Sequence, residues 1–371
     1  MMDYILTCPR NLESLVAKEV KALWYKQTQT NKWFVAFGGD MQAIAKINLR
    51  SRIWSKLFLR IWHFPRSSNF NELFENVYKI KRKNYIDRKR PFVVNVVNKW
   101  TWLTSIPTCQ KIIKKSIAKN LLNWKEGFVD ENSAKKPLEI FVIIEKSHTR
   151  IMINTTWDWL FKRSYKLNSS SAWLKENVAA GLITLAGWRF NTPFIDLFCG
   201  AWTLPIEATM IAKNIPPGLN RNFDFEEFDW YDKSILKKMK DNAKQNIFTN
   251  KKYEIFGYDI DSKIIETAKE NAKNAWVEKN IIFEQKNFLE IDCKKIKWTV
   301  LTNPPYGIRL KSNDIKKIYE KLIYCFKKNS NINWWFYTTF EIPFSKNIPF
   351  KKKLIYNWQQ EAYFHKKISN L

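Results

Sequence analysis

From residue 174 onward, strand-like and helix-like stretches alternate with a regularity that few architectures accommodate. The hydrophobic periodicity predicts a helix over Leu174–Leu185, a strand over Pro193–Phe198 and a helix over Thr203–Lys213. A strand follows at Glu254–Asp259, a helix at Ser262–Asn274, strands at Ile281–Gln285 and Thr299–Thr302, and a helix at Ile315–Lys327. A strand at Trp334–Thr339 and a last strand region near Leu354–Tyr363 close the series. Strands separated by helices imply an α/β fold with a mostly parallel sheet covered on both faces, and a ligand at the carboxyl ends of its strands.

The first part of the chain reads as two smaller α/β units. YILTC is strand-like, and NLESLVAKEVKAL follows with Leu12, Leu15, Val16, Val20 and Leu23 on one helical face and Asn11 placed to cap. KWFVAFGGD reads as a strand ending in a turn, Met41–Leu49 as a helix capped by Asp40, and Lys56–Phe64 as a strand. Beyond it, PFVVNVV is a buried strand and CQKIIKKSIAKNLL an amphipathic helix with Lys111, Lys114, Lys115 and Lys119 outward. LEIFVIIEK and TRIMINTT form a hairpin-like pair. The polar, basic stretch WDWLFKRSYKLNSSS, with Lys162, Arg163 and Lys166, marks a junction.

The charge is one-sided: 63 Lys and Arg against 35 Asp and Glu, a formal net of +28 over 371 residues. A polyanion such as nucleic acid is the simplest partner for such an excess, through phosphate contacts and long-range steering. With a mean hydropathy of -0.41 and no run of about 18 apolar residues, no membrane span is expected. The start, MMDYILTCPR, lacks the basic and apolar blocks of a signal peptide. Five cysteines lie far apart with no C-x-x-C pair, so free thiols, no metal site and a cytoplasmic setting are expected.

Three motifs fall at successive strand ends. DLFCGAWT places an acid, a glycine turn and a helix start in sequence, a layout that can hold a nucleotide-like ligand against backbone N–H groups. It is equally the form of an ordinary strand–helix turn. GYDID ends its strand on Asp259, a carboxylate able to take both hydroxyls of a ribose, while Asp261 is placed to cap the next helix. A dinucleotide site wants that acid roughly 20 residues after the glycine turn, and here it comes far later, behind PPGLNRNFDFEEFDWYDK, which counts against NAD. LTNPPYG is the most specific of the three. Two prolines cannot continue a strand, so the segment leaves the sheet rigidly at the ligand edge. There the Asn303 amide oxygen and the Pro304 carbonyl can accept from one planar amino group, and Tyr306 offers a face for a flipped-out base.

These motifs resemble those of the class I S-adenosylmethionine-dependent methyltransferases that modify exocyclic amines of bases. The entire chain is similar to the THUMP-domain guanine-N2 RNA methyltransferases, specifically the bacterial type acting on large-subunit ribosomal RNA, in the version with a single methyltransferase domain. The stretches that carry the likeness run nearly end to end: ILTCPRNLESLVAKEVKAL, NLRSRIWSKLFLRI, SIPTCQKIIKKSI, LFKRSYK, LKENVAAGLITLAGW, DLFCGAWTLPIEATMIAKNIPPG and NPPYGIRL. The resemblance implies a ferredoxin-like region over 1–65, a THUMP RNA-binding domain over 66–156, a basic junction over 157–172, and a Rossmann-like domain with a seven-stranded sheet over 173–371. It implies S-adenosylmethionine as cofactor and RNA as partner, with 23S ribosomal RNA ahead of tRNA. Asp196, Phe198, Gly200, Trp202 and Thr203 would line the methionine side of the cofactor, with Lys175, Glu176 and Asn177 closing over it. Asp259 and Ile260 would hold the ribose side. Asn287 stands where relatives carry an Asp that accepts from the adenine amine. Asn303, Pro304, Pro305 and Tyr306 would receive the base, and Lys111, Lys114, Lys115, Lys162, Arg163 and Lys166 would contact RNA. NPPY alone also fits a DNA adenine-N6 methyltransferase, and a non-catalytic RNA-binding protein follows if an indole at 202 fills the cofactor's place.

One composition figure is anomalous. Glycine appears 9 times and tryptophan 18, although turns that need positive φ normally draw on glycine. The family pattern has glycine at position 202, and Trp157, Trp276 and Trp298 also stand where relatives carry glycine, as do Trp33 and one of Trp100 or Trp102. Trp188 and Trp230 match tryptophans in the family. A genetic code in which UGA specifies glycine, with the chain written as though UGA were tryptophan, accounts for the deficit, the excess and the placement together. UGG codons at 202, 276 and 298 would contradict it.

Overall fold

A computed structural model describes residues 1–81, 83–87, 90–99, 102–122, 136–163, 165–166, 174–200, 202–296, 298–305, 312–329, 333–339, 350–357 and 359–367. Two seven-stranded sheets organise them. In the first, β1 (Met2–Thr7) lies between β3 (Phe34–Gly39) and β4 (Lys56–Pro65), antiparallel to both. β2 (Thr28–Asn31) adds to β3 at one edge, while β7 (His148–Asn154), β6 (Leu138–Ile144) and β5 (Phe92–Asn98) continue beyond β4. Because β4 pairs with β7 from Phe58↔Asn154 to Pro65↔His148, a single sheet runs across residue 65. Side chains alternate as a pleated strand requires. Tyr4 and Leu6 enter the main core, whereas Ile5 joins Phe34, Phe58, Ile143 and Met152 on the opposite face. Helices α1 (Glu13–Ala22), α2 (Gln42–Arg50), α3 (Phe70–Tyr78) and α4 (Ile106–Leu122) accompany this sheet.

The second sheet has the order β10-β9-β8-β11-β12-β14-β13. Its parallel members are β8 (Phe194–Asp196), β9 (Ile255–Asp259), β10 (Ile282–Gln285), β11 (Thr299–Thr302) and β12 (Trp334–Thr338). The expected last strand is a hairpin, β13 (Phe350–Asn357) and β14 (Gln360–Lys367), antiparallel to the rest. Helices α5 (Glu176–Ala186), α6 (Thr203–Ala212), α7 (Lys233–Gln245), α8 (Ser262–Asn274) and α9 (Ser312–Lys328) alternate with these strands. From β8 the chain builds outward through β9 to β10, then returns to the other side of β8 with β11. That reversal is where an open α/β sheet forms its ligand crevice. This is the class I methyltransferase arrangement.

Buried polar contacts fasten the two sheets' layers together. Arg52 donates to the carbonyl of Ile215 at 2.7 Å, Asn177 to Ser55 Oγ at 3.1 Å, and Arg90 pairs with Asp224 at 2.6 Å. One core runs through both, with Leu12 beside α5 so closely that a Cβ on Gly181 would lie 2.7 Å from its methyl carbon.

Two expectations are corrected. Asn11 does not cap α1; it lies in the left-handed region (φ 70) and its amide donates to the Leu354 carbonyl at 3.0 Å, so Leu12 takes the N-cap position without a side-chain bond. Nor are all five thiols free, because Cys293 and Cys325 are bridged, while Cys8, Cys109 and Cys199 are buried and unbridged. The partners come from a short turn and from α9, 32 residues apart, so no local spacing signalled the bridge. Asp40 does bond the Ala43 N–H at 3.0 Å, as expected of a residue at the start of α2. Among the described residues, no helix is long and apolar enough to cross a membrane, and no three His, Cys, Asp or Glu gather as metal ligands.

Candidate active site

The turn after β8 is held by the neighbouring strand. Cys199 N–H donates to the Tyr258 carbonyl at 2.7 Å and Gly200 N–H to Asp259 Oδ2 at 3.0 Å. Gly200 adopts φ +45, which only glycine enters without strain. The other Asp259 oxygen accepts from Asp261 N–H at 3.1 Å, and burial pushes this carboxyl above its usual range. Asp261 itself caps α8 by accepting from Lys263 and Ile264, as its place in GYDID suggests. At the end of β8, Asp196 is 2% exposed and accepts from Thr302 Oγ1 at 2.6 Å and from Phe198 N–H at 3.2 Å. Burial raises it to about 7 against the lowering effect of these bonds, with the Asp259 charge adding to the rise.

A cavity of about 580 Å³ opens above these strand ends. Asp196, Phe198, Gly200, Trp202, Thr203, Asp259, Ile260, Asn287, Asn303, Pro304 and Pro305 all line it. Residues 59 and about 100 positions apart in the chain are thus brought to one space by the parallel sheet. Asn303 Oδ1 is buried there with no hydrogen-bond partner. A carbonyl oxygen left in that state costs about 1–3 kcal/mol, and a donor arriving in the cavity would relieve it. Asn287 is committed locally: its Oδ1 accepts from Leu289 N–H and its amide donates to Glu290. Ile260, 63% exposed, forms an apolar wall suited to a flat ring. The motif reading missed Phe288 and Leu289, Ile264 of α8, and Asp314 and Ile318 of α9, which line the same space. The apolar FL pair directly after Asn287 was the available signal.

Other expected residues go elsewhere. Lys175 and Asn177 line a second cleft of about 370 Å³, with Arg10, Trp159, Phe161 and Tyr356, while Leu174 takes the place at the first. Glu176 is buried and paired with Lys166 at 3.2 Å. Burial pulls the Lys175 amine down to about 8. Arg163, expected to reach RNA, is instead buried: its guanidinium pairs with Glu207 at 3.1 Å and donates to the Arg52 carbonyl at 2.6 Å. No phosphate can approach it. Lys166, half-buried against Glu176 and the Leu174 carbonyl, is likewise engaged, whereas Lys162, Lys111 and Lys115 are exposed and Lys114 is half-exposed. Tyr306 lies outside the described residues.

The indole of Trp202 lines the first cavity. Its side chain is 2% exposed, its backbone is left-handed at φ 62, and its Nε1 is buried without a hydrogen-bond partner. The Cys199 sulfur beside it would accept well only as a thiolate, and burial pushes that thiol well above its ordinary value.

Residues 163–348 match the family model described as RMKL-like, methyltransferase domain, and residues 3–58 match the RlmL ferredoxin-like domain. The chain is 30% identical over 367 residues to YpsC of Bacillus subtilis, a protein provisionally designated an RNA methyltransferase, covering 97% of this chain and 94% of that one. It is 28% identical to the tRNA (guanine(6)-N2)-methyltransferase of Methanocaldococcus jannaschii over 87% of this chain and 86% of that protein. It is 29% identical to the ribosomal RNA large subunit methyltransferase K/L of Buchnera aphidicola over 90% of this chain, which spans only 49% of that protein. The crystal structure of SMU.472 complexed with SAH superposes with a TM-score of 0.90 at 29% identity, over 100% of this chain and 98% of that one. The chain belongs to the RMKL-like methyltransferase-domain family and carries that domain behind an RlmL-type ferredoxin-like domain.

Proposed function

We propose that this protein transfers a methyl group from S-adenosylmethionine to the exocyclic N2 amine of a guanine in RNA, with 23S ribosomal RNA as substrate. The observation that carries the reading is the unpartnered Asn303 oxygen at the mouth of a proline-rigid elbow, in the same cavity as the Gly200 turn. S-adenosylmethionine, when bound, supplies a methyl group activated by a sulfonium. Asp196 and the 198–203 turn would hold its amino-acid end, Asp259 its ribose, and Ile260 with the Asn287–Leu289 turn its base. Asp259 and Asn287 already carry local hydrogen bonds that such a ligand would have to share, and the Trp202 indole stands in the cavity wall where the family pattern has glycine. Asn303 Oδ1 and the Pro304 carbonyl would accept the two protons of the guanine amine, aligning the nitrogen lone pair along the line of attack. Orientation of this kind is worth several orders of magnitude in rate without any covalent enzyme intermediate.

The second cleft supports an RNA path on the protein's surface. Arg10 lies 4.4 Å over the Tyr356 ring and Lys175 4.2 Å over Phe161. Cation–aromatic pairs offer bases a stacking face and phosphates a charge. A tRNA guanine is the second reading, favoured by the fact that the archaeal tRNA enzyme aligns over most of its length whereas the K/L protein aligns over half. Nucleoside mass spectrometry of ribosomal and transfer RNA from cells with and without the gene tests both. Loss of N2-methylguanosine from 23S RNA is expected; its loss from tRNA alone selects the second reading, and unchanged RNA in both pools contradicts the proposal.

A further inference from the structure

Eight non-glycine residues adopt positive φ among the described residues, and five of them are tryptophan: Trp24, Trp33, Trp157, Trp202 and Trp276. Bulky side chains are genuine outliers in this region, where glycine and, less often, asparagine are at home. The other three are Asn11, Asn214 and Phe190. Nothing in the structure explains Phe190.

The hydrogen bonds around these tryptophans define turns that call for glycine. After α1, Trp24 N–H donates to Lys21 O at 3.0 Å and Tyr25 N–H to Val20 O at 3.3 Å. After α8, Trp276 N–H donates to Lys273 O at 2.9 Å and Val277 N–H to Ala272 O at 2.9 Å. Both are Schellman ends with tryptophan at the left-handed position that glycine normally fills. The same pair of bonds closes α6, where the residue is Asn214, a tolerated occupant. Neither indole gains burial in exchange, since Trp24 is 77% and Trp276 66% exposed. Trp33 is the second residue of the two-residue loop joining β2 to β3 and alone in that loop has positive φ, the position that a type II turn reserves for glycine or asparagine. Trp202 combines the left-handed backbone with an indole in the wall of the first cavity.

Other tryptophans differ in kind. Trp62, Trp188 and Trp230 have ordinary φ and donate their indole N–H to the carbonyls of Asn76, Thr192 and Tyr85. Trp298, expected among the anomalous group, also has ordinary φ and stacks on Phe256 at 4.6 Å, so the backbone makes no demand for glycine there.

We infer that the protein made in its own cells carries glycine at 24, 33, 157, 202 and 276, one codon being read there as glycine, and that glycine at 202 completes the cofactor cradle. Trp24 joins the set on backbone geometry alone. The test is peptide mass spectrometry of the protein purified from its native cells. Glycine is expected at all five positions and tryptophan at 62, 188 and 230 in the same digest; tryptophan at any of the five overturns the inference. These masses owe nothing to the methyltransferase reading, whereas a second arm rests on it. Titration of S-adenosylhomocysteine into the full chain with tryptophan at all five positions, and into its Trp202→Gly and Trp276→Gly variants, separates cavity from turn. Trp202→Gly should bind about tenfold tighter or better and Trp276→Gly no tighter than the chain with tryptophan at all five positions. Equal or weaker binding by Trp202→Gly overturns the role given to residue 202.

Discussion

Asp196 shows how a site residue's environment sets what can be measured. Its carboxyl is raised to about 7, chiefly by burial. Between its ordinary range and that value the folded chain keeps a proton the unfolded chain has lost, so this group makes stability fall as pH rises through the interval. Asp196→Asn should flatten that part of the stability–pH curve, read from denaturation midpoints between pH 4 and 7, on the order of the interval set by these pKa values. A cationic ligand favours the carboxylate form, so affinity for S-adenosylmethionine should increase as pH rises towards about 7 and level off above it. Titrations at a series of pH values check this; a flat profile would contradict it. For Asn303, truncation to Ala should leave affinity for S-adenosylhomocysteine within about twofold while lowering the transfer rate by roughly 10²-fold or more. A matched loss of both would mean that the amide serves cofactor binding instead.

Among elements, legibility followed chemistry. The helix at Ser262–Asn274 and the strand at Thr299–Thr302 coincide with the structure because a capping acid and proline stops frame strongly periodic stretches. β2 escaped notice because TQTN has no apolar alternation and takes its place only by pairing with β3. α7 was hidden inside the long insertion after α6, where a lysine-rich face buries only Leu236 and Ala243. The cap at Asn11 failed because a tertiary partner, the Leu354 carbonyl some 340 residues on, claims its amide. Helix ends carry a quantitative expectation of their own. A left-handed non-glycine residue costs roughly 1–2 kcal/mol, partly offset by the greater freedom glycine has when unfolded. Trp276→Gly should therefore raise stability by about 0.5–1 kcal/mol, visible as a higher thermal midpoint; a lower midpoint would mean that the indole contributes packing outweighing the strain.

At the scale of the whole molecule, basic charge and buried clamps do separate jobs, and sequence could not tell one lysine or arginine from another. LFKRSYK reads as a basic surface, yet Arg163 is buried against Glu207 while Lys162 stays in water; only the fold distinguishes them. Glu207→Ala leaves that guanidinium uncompensated and should cost about 3–5 kcal/mol, measured by chemical denaturation. The exposed lysines act through the net charge of +28, so RNA affinity should fall steeply and linearly on a log–log plot against salt, with Lys162→Glu lowering the slope. What sequence did convey at this scale was the turn, the acid and the Asn-Pro-Pro elbow at three strand ends, because a parallel sheet must gather strand ends along one edge. The most direct test of that gathering is methyl transfer itself. Protein purified from its own cells, incubated with methyl-labelled S-adenosylmethionine and unmodified ribosomal and transfer RNA, should place label in N2-methylguanosine after digestion to nucleosides. Label in N6-methyladenosine, or transfer to duplex DNA and not to RNA, would contradict the account.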